Sequence, residues 1–246
     1  MAWGASDKGG TGAPSDNGYT KIYSTVGAFA TLKADGSITA WGNSDWGGTG
    51  APSDNGYTKI YSTVGAFAAL KADGSITAWG SSYNGGTGAP SDNGYTKIYS
   101  TGYAFAALKA DGSITAWGAS GSGGSGAPSD NGYTKIYSTE FAFAALKADG
   151  SIKAWGASSS GDTDAPSDNG YTKIYSTGYA FAALKADGSI TAWGNSDWGG
   201  TGAPSGKGYT KIYSTGYAFA ALKADGSITA WGDSDSGGTT SNATSD

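Results

Sequence analysis

The chain has 246 residues, a net charge of −5, no cysteine and no histidine. This excludes a disulfide framework, thiol chemistry, a Ser-His-Asp triad and imidazole metal sites. All 15 cations are lysine, so the arginine fork that reads phosphate and guanine is missing, and nucleic acid is not an expected partner.

No apolar run is long enough to cross a membrane, and Met1-Ala2-Trp3-Gly4 does not read as a signal peptide. No membrane association is expected, and localisation is left open. Leu, Ile, Val and Phe are scarce, which alone would suggest disorder. The low net charge and the 13% aromatic content argue against it. The core is read as Trp, Tyr, Phe, Ile and Ala.

Trp3, Trp41, Trp79, Trp117, Trp155, Trp193 and Trp231 are spaced 38 residues apart, without insertions. A fixed period of this length means a modular array. Within the first unit the elements follow in order. Pro14-Ser15-Asp16-Asn17-Gly18 is a turn. Tyr19 to Thr25 is rich in β-branched and aromatic residues and is predicted as a strand. Ala28 to Lys33 and Ser37 to Trp41 are predicted as two more strands, joined by the hairpin signal Ala34-Asp35-Gly36. Gly9 to Ala13 carries a weaker signal for a short fourth strand. No helical stretch is predicted.

The strands are apolar on both faces. Phe29 opposes Ala28, Ala30 and Leu32, while Ile38 and Ala40 oppose Thr39 and Trp41. Each small sheet is therefore expected to be covered on both sides, by its own copies. The predicted fold class is all-β: a six-bladed β-propeller of 38-residue repeats occupying residues 1–238, with 239–246 as a flexible tail. The W-G-x-S-x-x-G-G segment occurs seven times and the other elements six times. The ring is accordingly expected to close by joining the N- and C-terminal segments in one blade, with Trp231 favoured over Trp3.

The stretch Ala30-Thr31-Leu32-Lys33-Ala34-Asp35-Gly36-Ser37-Ile38-Thr39-Ala40-Trp41-Gly42-Asn43 resembles the signature of the regulator-of-chromosome-condensation repeat, A-L-x-x-D-G-x-V-x-x-W-G-x-N. The short period and the Pro after the W-G segment resemble still more the propeller-type beta-lactamase inhibitor proteins of bacteria. The resemblance spans essentially the whole chain and implies a β-propeller. It would also imply inhibition of a secreted bacterial enzyme as one function. Two features depart from the pattern. G-G-T-G replaces the family's Q-L-G, and Ala28-Phe29 stands where a His often opens the strand. The relatives usually have seven blades, and this chain has six units. No functional residue is carried over.

The repeats also form a mutation series. Variation is confined to the segment after W-G and to the pair before A-F. Its aromatic members, Trp46, Tyr83, Tyr103, Phe141, Tyr179, Trp198 and Tyr217, are the candidate ligand contacts, since aromatics are favoured at binding surfaces. The alternative is drift at unconstrained loops. Asp35 and its copies, and Asp16 and its copies, are read as turn residues. Asp233 to Gly237 lacks the bidentate Glu of a calcium loop, so no metal site or cofactor is expected. Asn242-Ala243-Thr244 is a glycosylation sequon.

With no His or Cys and a single Glu, Glu140, catalysis is not expected. The reading is a non-catalytic binding or scaffold module, monomeric, with a protein or glycan ligand. The near identity of the units leaves a second reading open: a recently amplified or designed array without an evolved activity.

Overall fold

The computed structural model describes residues 3–239. The chain divides into two compact units, Met1–Asn131 and Gly132–Asp246. The first holds three sheets. They are β1 (Tyr19–Ser24), β2 (Ala28–Lys33) and β3 (Ile38–Gly42); then β4 (Tyr57–Ser62), β5 (Ala66–Lys71) and β6 (Ile76–Gly80); then β7 (Tyr95–Ser100), β8 (Ala104–Lys109) and β9 (Ile114–Gly118). The second holds β10 (Tyr133–Ser138), β11 (Ala142–Lys147) and β12 (Ile152–Gly156); β13 (Tyr171–Ser176), β14 (Ala180–Lys185) and β15 (Ile190–Gly194); and β16 (Tyr209–Ser214), β17 (Ala218–Lys223) and β18 (Ile228–Gly232). Six three-stranded antiparallel sheets of one design are the blades of a six-bladed β-propeller, as the repeat predicts.

The register is constant. Phe29 lies opposite Trp41, Ala30 opposite Ala40, and Leu32 opposite Ile38. The same pairing recurs in the other five sheets. The hairpin is held by its own residues. Asp35 Oδ1 accepts from the Ser37 amide and hydroxyl, and Gly36 takes the positive φ that the turn needs.

Each sheet has two unlike faces. In the first unit Ala28, Ala30 and Leu32 pack against Tyr57, Ile60, Phe67, Ala69 and Trp79 of the next sheet. Ala66, Ala68 and Leu70 then receive Tyr95, Ile98, Phe105 and Trp117. The second unit repeats this twice. Small residues on one face leave room for rings on the other, which fills the space between sheets. Each Phe stacks on the Trp of its own sheet, at 5.2 Å for Phe67 and Trp79. The backbone adds fixed links. The Gly56 and Tyr57 amides donate to the Asp35 and Gly36 carbonyls of the preceding hairpin. The Val26 amide donates to Val64 O, and the Glu140 amide to Gly178 O.

Two local expectations change. Gly9 to Ala13 forms no strand, because Gly9 and Gly12 both hold positive φ angles. The segments after W-G each contain a single helical turn, such as Ser44–Trp46, which the sequence reading missed. Its signal is Asn43, whose side chain accepts from the Asp45 amide.

The segment after W-G belongs structurally to the following sheet. Trp79 Nε1 donates to Gly47 O, and Trp41 Nε1 donates to Gly9 O, each at 3.0 Å. The N-terminal copy is thus seated from Gly9 onward, while Trp3 is 85% exposed and Trp231 is buried. Residues 240–246 lie outside the described residues, and with them the expected tail mobility and the sequon.

Candidate functional site

The two variable segments meet within each repeat. The invariant threonine of Y-T-K-I-Y-S-T ties them together. Thr25 Oγ1 donates to Trp46 O and accepts from the Ala28 amide. Thr63, Thr101 and Thr139 make the same pair of bonds. Thr177 and Thr215 repeat them in the last two repeats. The last residue of one variable segment therefore lies over the residue before A-F.

That contact explains most of the variation. A Cβ on Gly27 would lie 2.1 Å from Trp46 Cε3, and a Cβ on Gly65 would lie 2.2 Å from Asn84 Nδ2. Where the lower position is large, the upper one is small: Tyr103 with Ser122, Phe141 with Ser160, Tyr217 with Ser236. The loops look unconstrained in sequence, yet each pair conserves volume.

The exception is Tyr179 with Trp198, two rings in a space that elsewhere holds one. Their centroids are 4.0 Å apart. Phe141 lies 5.6 Å from Tyr179, and Tyr217 lies 5.3 Å from Trp198. Four of the seven candidate residues are thus one aromatic cluster on the second unit, with Tyr217 44% exposed. In the first unit Tyr83 is exposed and meets Tyr103 edge-on at 6.3 Å. Trp46 is half-buried beneath the Lys8 ammonium, 4.0 Å from its ring, a cation–π contact. The invariant tryptophans from Trp41 to Trp231 are all buried.

The carboxylates are bound up in turns. The amide and hydroxyl of Ser37 hold the Asp35 carboxyl below its ordinary range, and Asp73, Asp111, Asp149 and Asp225 are held down by their own serines. A carboxylate so stabilised is a weak base. Asp16 is lowered by Lys33 and the Tyr19 hydroxyl, and Asp54, Asp92 and Asp168 repeat that trio. The sixth repeat has Gly206-Lys207 in this turn. There Lys207 pairs instead with Asp187 of the preceding hairpin at 2.8 Å and lowers it further.

No family model matches the sequence, and no curated protein matches it. Solved structures do. The ectodomain of the receptor kinase CR4 from Physcomitrella patens is 20% identical, with a TM-score of 0.54, over 90% of this chain and 64% of that one. The chain thus spans under two thirds of the moss ectodomain. The CRINKLY WD40 ectodomain of ACR4 from Arabidopsis thaliana is 19% identical, with a TM-score of 0.54, over 87% and 81%. Prp20p from Saccharomyces cerevisiae, the yeast RCC1, is 14% identical, with a TM-score of 0.50, over 87% and 72%. At these identities the likeness concerns the fold, which is that of an RCC1-like propeller. Among the described residues, no helix is long and apolar enough to cross a membrane.

Proposed function

We propose that this chain is a non-catalytic binding module that takes its ligand on the aromatic cluster of Phe141, Tyr179, Trp198 and Tyr217. The observation that carries the reading is the broken volume rule at Tyr179 and Trp198. Drift under packing constraint keeps one ring per pair, as the other five pairs do. Two rings there, joined by Phe141 and Tyr217, make a platform of π-faces suited to a sugar ring or to an apolar protein side chain. Support for a protein ligand comes from Prp20p, whose structure is described with its binding to Gsp1p and histones. On the resemblance to the propeller-type inhibitors, that protein would be a secreted bacterial beta-lactamase.

The test is a glycan array and a peptide and protein panel that includes a beta-lactamase. Any ligand found is then measured against Trp198→Ala. Loss of at least tenfold in affinity, with an unchanged circular dichroism spectrum, is expected, as for a truncated aromatic anchor of about 2 kcal/mol. Unchanged affinity would remove the cluster from the site and favour the reading of an amplified array without evolved activity.

A further inference from the structure

Two unlike half-interfaces are left over, one on each unit. The small-residue face of the last sheet, Ala218, Ala220, Leu222 and Ile228, corresponds to the face that receives the next sheet elsewhere in the chain. Ile228 is 57% exposed, against 5% for its counterpart Ile152. The aromatic face of the first sheet has Ile22 65% exposed, against 1% for Ile60.

The last sheet also carries an unfilled seat. A depression of about 190 Å³ lies among Tyr213, Ala218, Ala220, Ser236 and Gly237. In the first unit the matching glycine, Gly47, lies against the ring of Phe67 in the following sheet. Gly237 has nearly the same φ, 91° against 94°, yet nothing lies within 4 Å of where its Cβ would stand.

We propose that these faces join copies of this chain head to tail: the last sheet of one molecule seats on the first sheet of a second, in the register that links successive sheets within each unit. The occupant has to offer a ring beside Ala218 and Ala220 and an aliphatic side chain against Ile228. It also needs two successive amides in reach of the hairpin carbonyls of Asp225 and Gly226. The first sheet of this chain offers Phe29, Ile22 and the amides of Gly18 and Tyr19, the counterparts of Phe67, Ile60, Gly56 and Tyr57. Thr31 stands where Ala69 stands in the next repeat, and its hydroxyl already donates to Thr39 O, so it brings no unpaired group. Such a contact is heterologous and leaves one face of each kind free, so assembly continues to a ring of chains or a filament.

The N-terminal segment limits the contact. Gly9 already lies against Phe29 and Trp41, in the place that the Asp233-to-Gly238 loop of the other copy would take. Removing residues 1–12 vacates that place.

The experiment is light scattering across a concentration series. The intact chain is expected to rise above its 24.4 kDa monomer mass as concentration increases, and the chain lacking residues 1–12 to do so at tenfold lower concentration. Ile22→Lys and Ile228→Lys are each expected to remain monomeric. Mixed, they are expected to form a pair and stop there, because each keeps the face the other has lost. That complementation separates the contact from misfolding. A monomer at every concentration, with or without residues 1–12, overturns the proposal. If its Ile22 and Ile228 amides are also protected from exchange, one chain closes on itself, as the seven W-G segments suggest. A mixture that stays monomeric while the intact chain associates overturns it equally.

Discussion

At the residue scale the chain tests itself, because each position is seen six times. Repeat four breaks the pattern at Asp162 and Asp164, where the other repeats have glycine, as at Gly48 and Gly50. A Cβ on Gly48 would lie 2.3 Å or less from nothing but backbone: the Gly42 carbonyl oxygen is 2.3 Å away. Asp162 fits only with local give. Its amide reaches Ala157 O at 3.3 Å, where Gly48 reaches Asn43 O at 2.7 Å. Its Oδ1 and the buried Ser160 Oγ have no hydrogen-bond partner. Asp164 is the one non-glycine residue with positive φ among those described, at 60°. Asp162→Gly is expected to stabilise the protein by about 1–3 kcal/mol, through relief of strain and of an unsatisfied buried oxygen. Asp164→Gly is expected to add no more than about 1 kcal/mol. Guanidinium unfolding midpoints check both, and a lower midpoint for Asp162→Gly would show that the local shift carries no strain.

At the element scale the paired loops behave as one object. Gly27→Tyr alone drives a side chain into Trp46 and is expected to cost about 1–3 kcal/mol. Gly27→Tyr together with Trp46→Ser recreates the Tyr103 and Ser122 pair and is expected to restore most of it. The coupling energy from the double-mutant cycle should therefore exceed about 0.5 kcal/mol. Additive effects would mean that the two segments pack independently and that the volume rule is coincidence. The same rule makes Tyr179 and Trp198 stand out. It was invisible in the sequence because the partners lie 19 residues apart and meet only through the threonine bridge.

For the whole molecule, one charged turn repeated many times gives a collective response to acid. The carboxyls of Asp35, Asp73, Asp111, Asp149, Asp187 and Asp225 are all lowered by serine bonds, and Asp187 by Lys207 first. A depressed folded value means that the stabilisation is full above the ordinary carboxylate range, near about pH 4. It is lost as pH falls through the folded values. Lys33, Lys71, Lys109 and Lys185 are raised by their aspartates, so their share is full below about pH 10 and lost above it. The melting temperature is expected to be level between about pH 5 and 9 and to drop on both sides. A level profile down to pH 2.5 would show that these turn bonds do not contribute to folding.

The sequence by itself determined the repeat, the three strands of each blade, the hairpin at Asp35-Gly36 and the burial of the invariant tryptophans. All of these follow from local propensity and a fixed period, which short-range physics sets. It also named every aromatic of the candidate site. The tertiary structure decided which of them meet. Phe141, Tyr179, Trp198 and Tyr217 come together only because successive sheets stack within the second unit. It decided too that Gly9 to Ala13 supports the sheet without joining it as a strand, since glycine φ angles are chosen by the ring they pack against. And it alone separated Ile22 and Ile228 from their identical copies. A residue's burial depends on what lies across from it, and a sequence of equal repeats assigns every copy the same environment, including those at the ends, which have a neighbouring repeat on one side only.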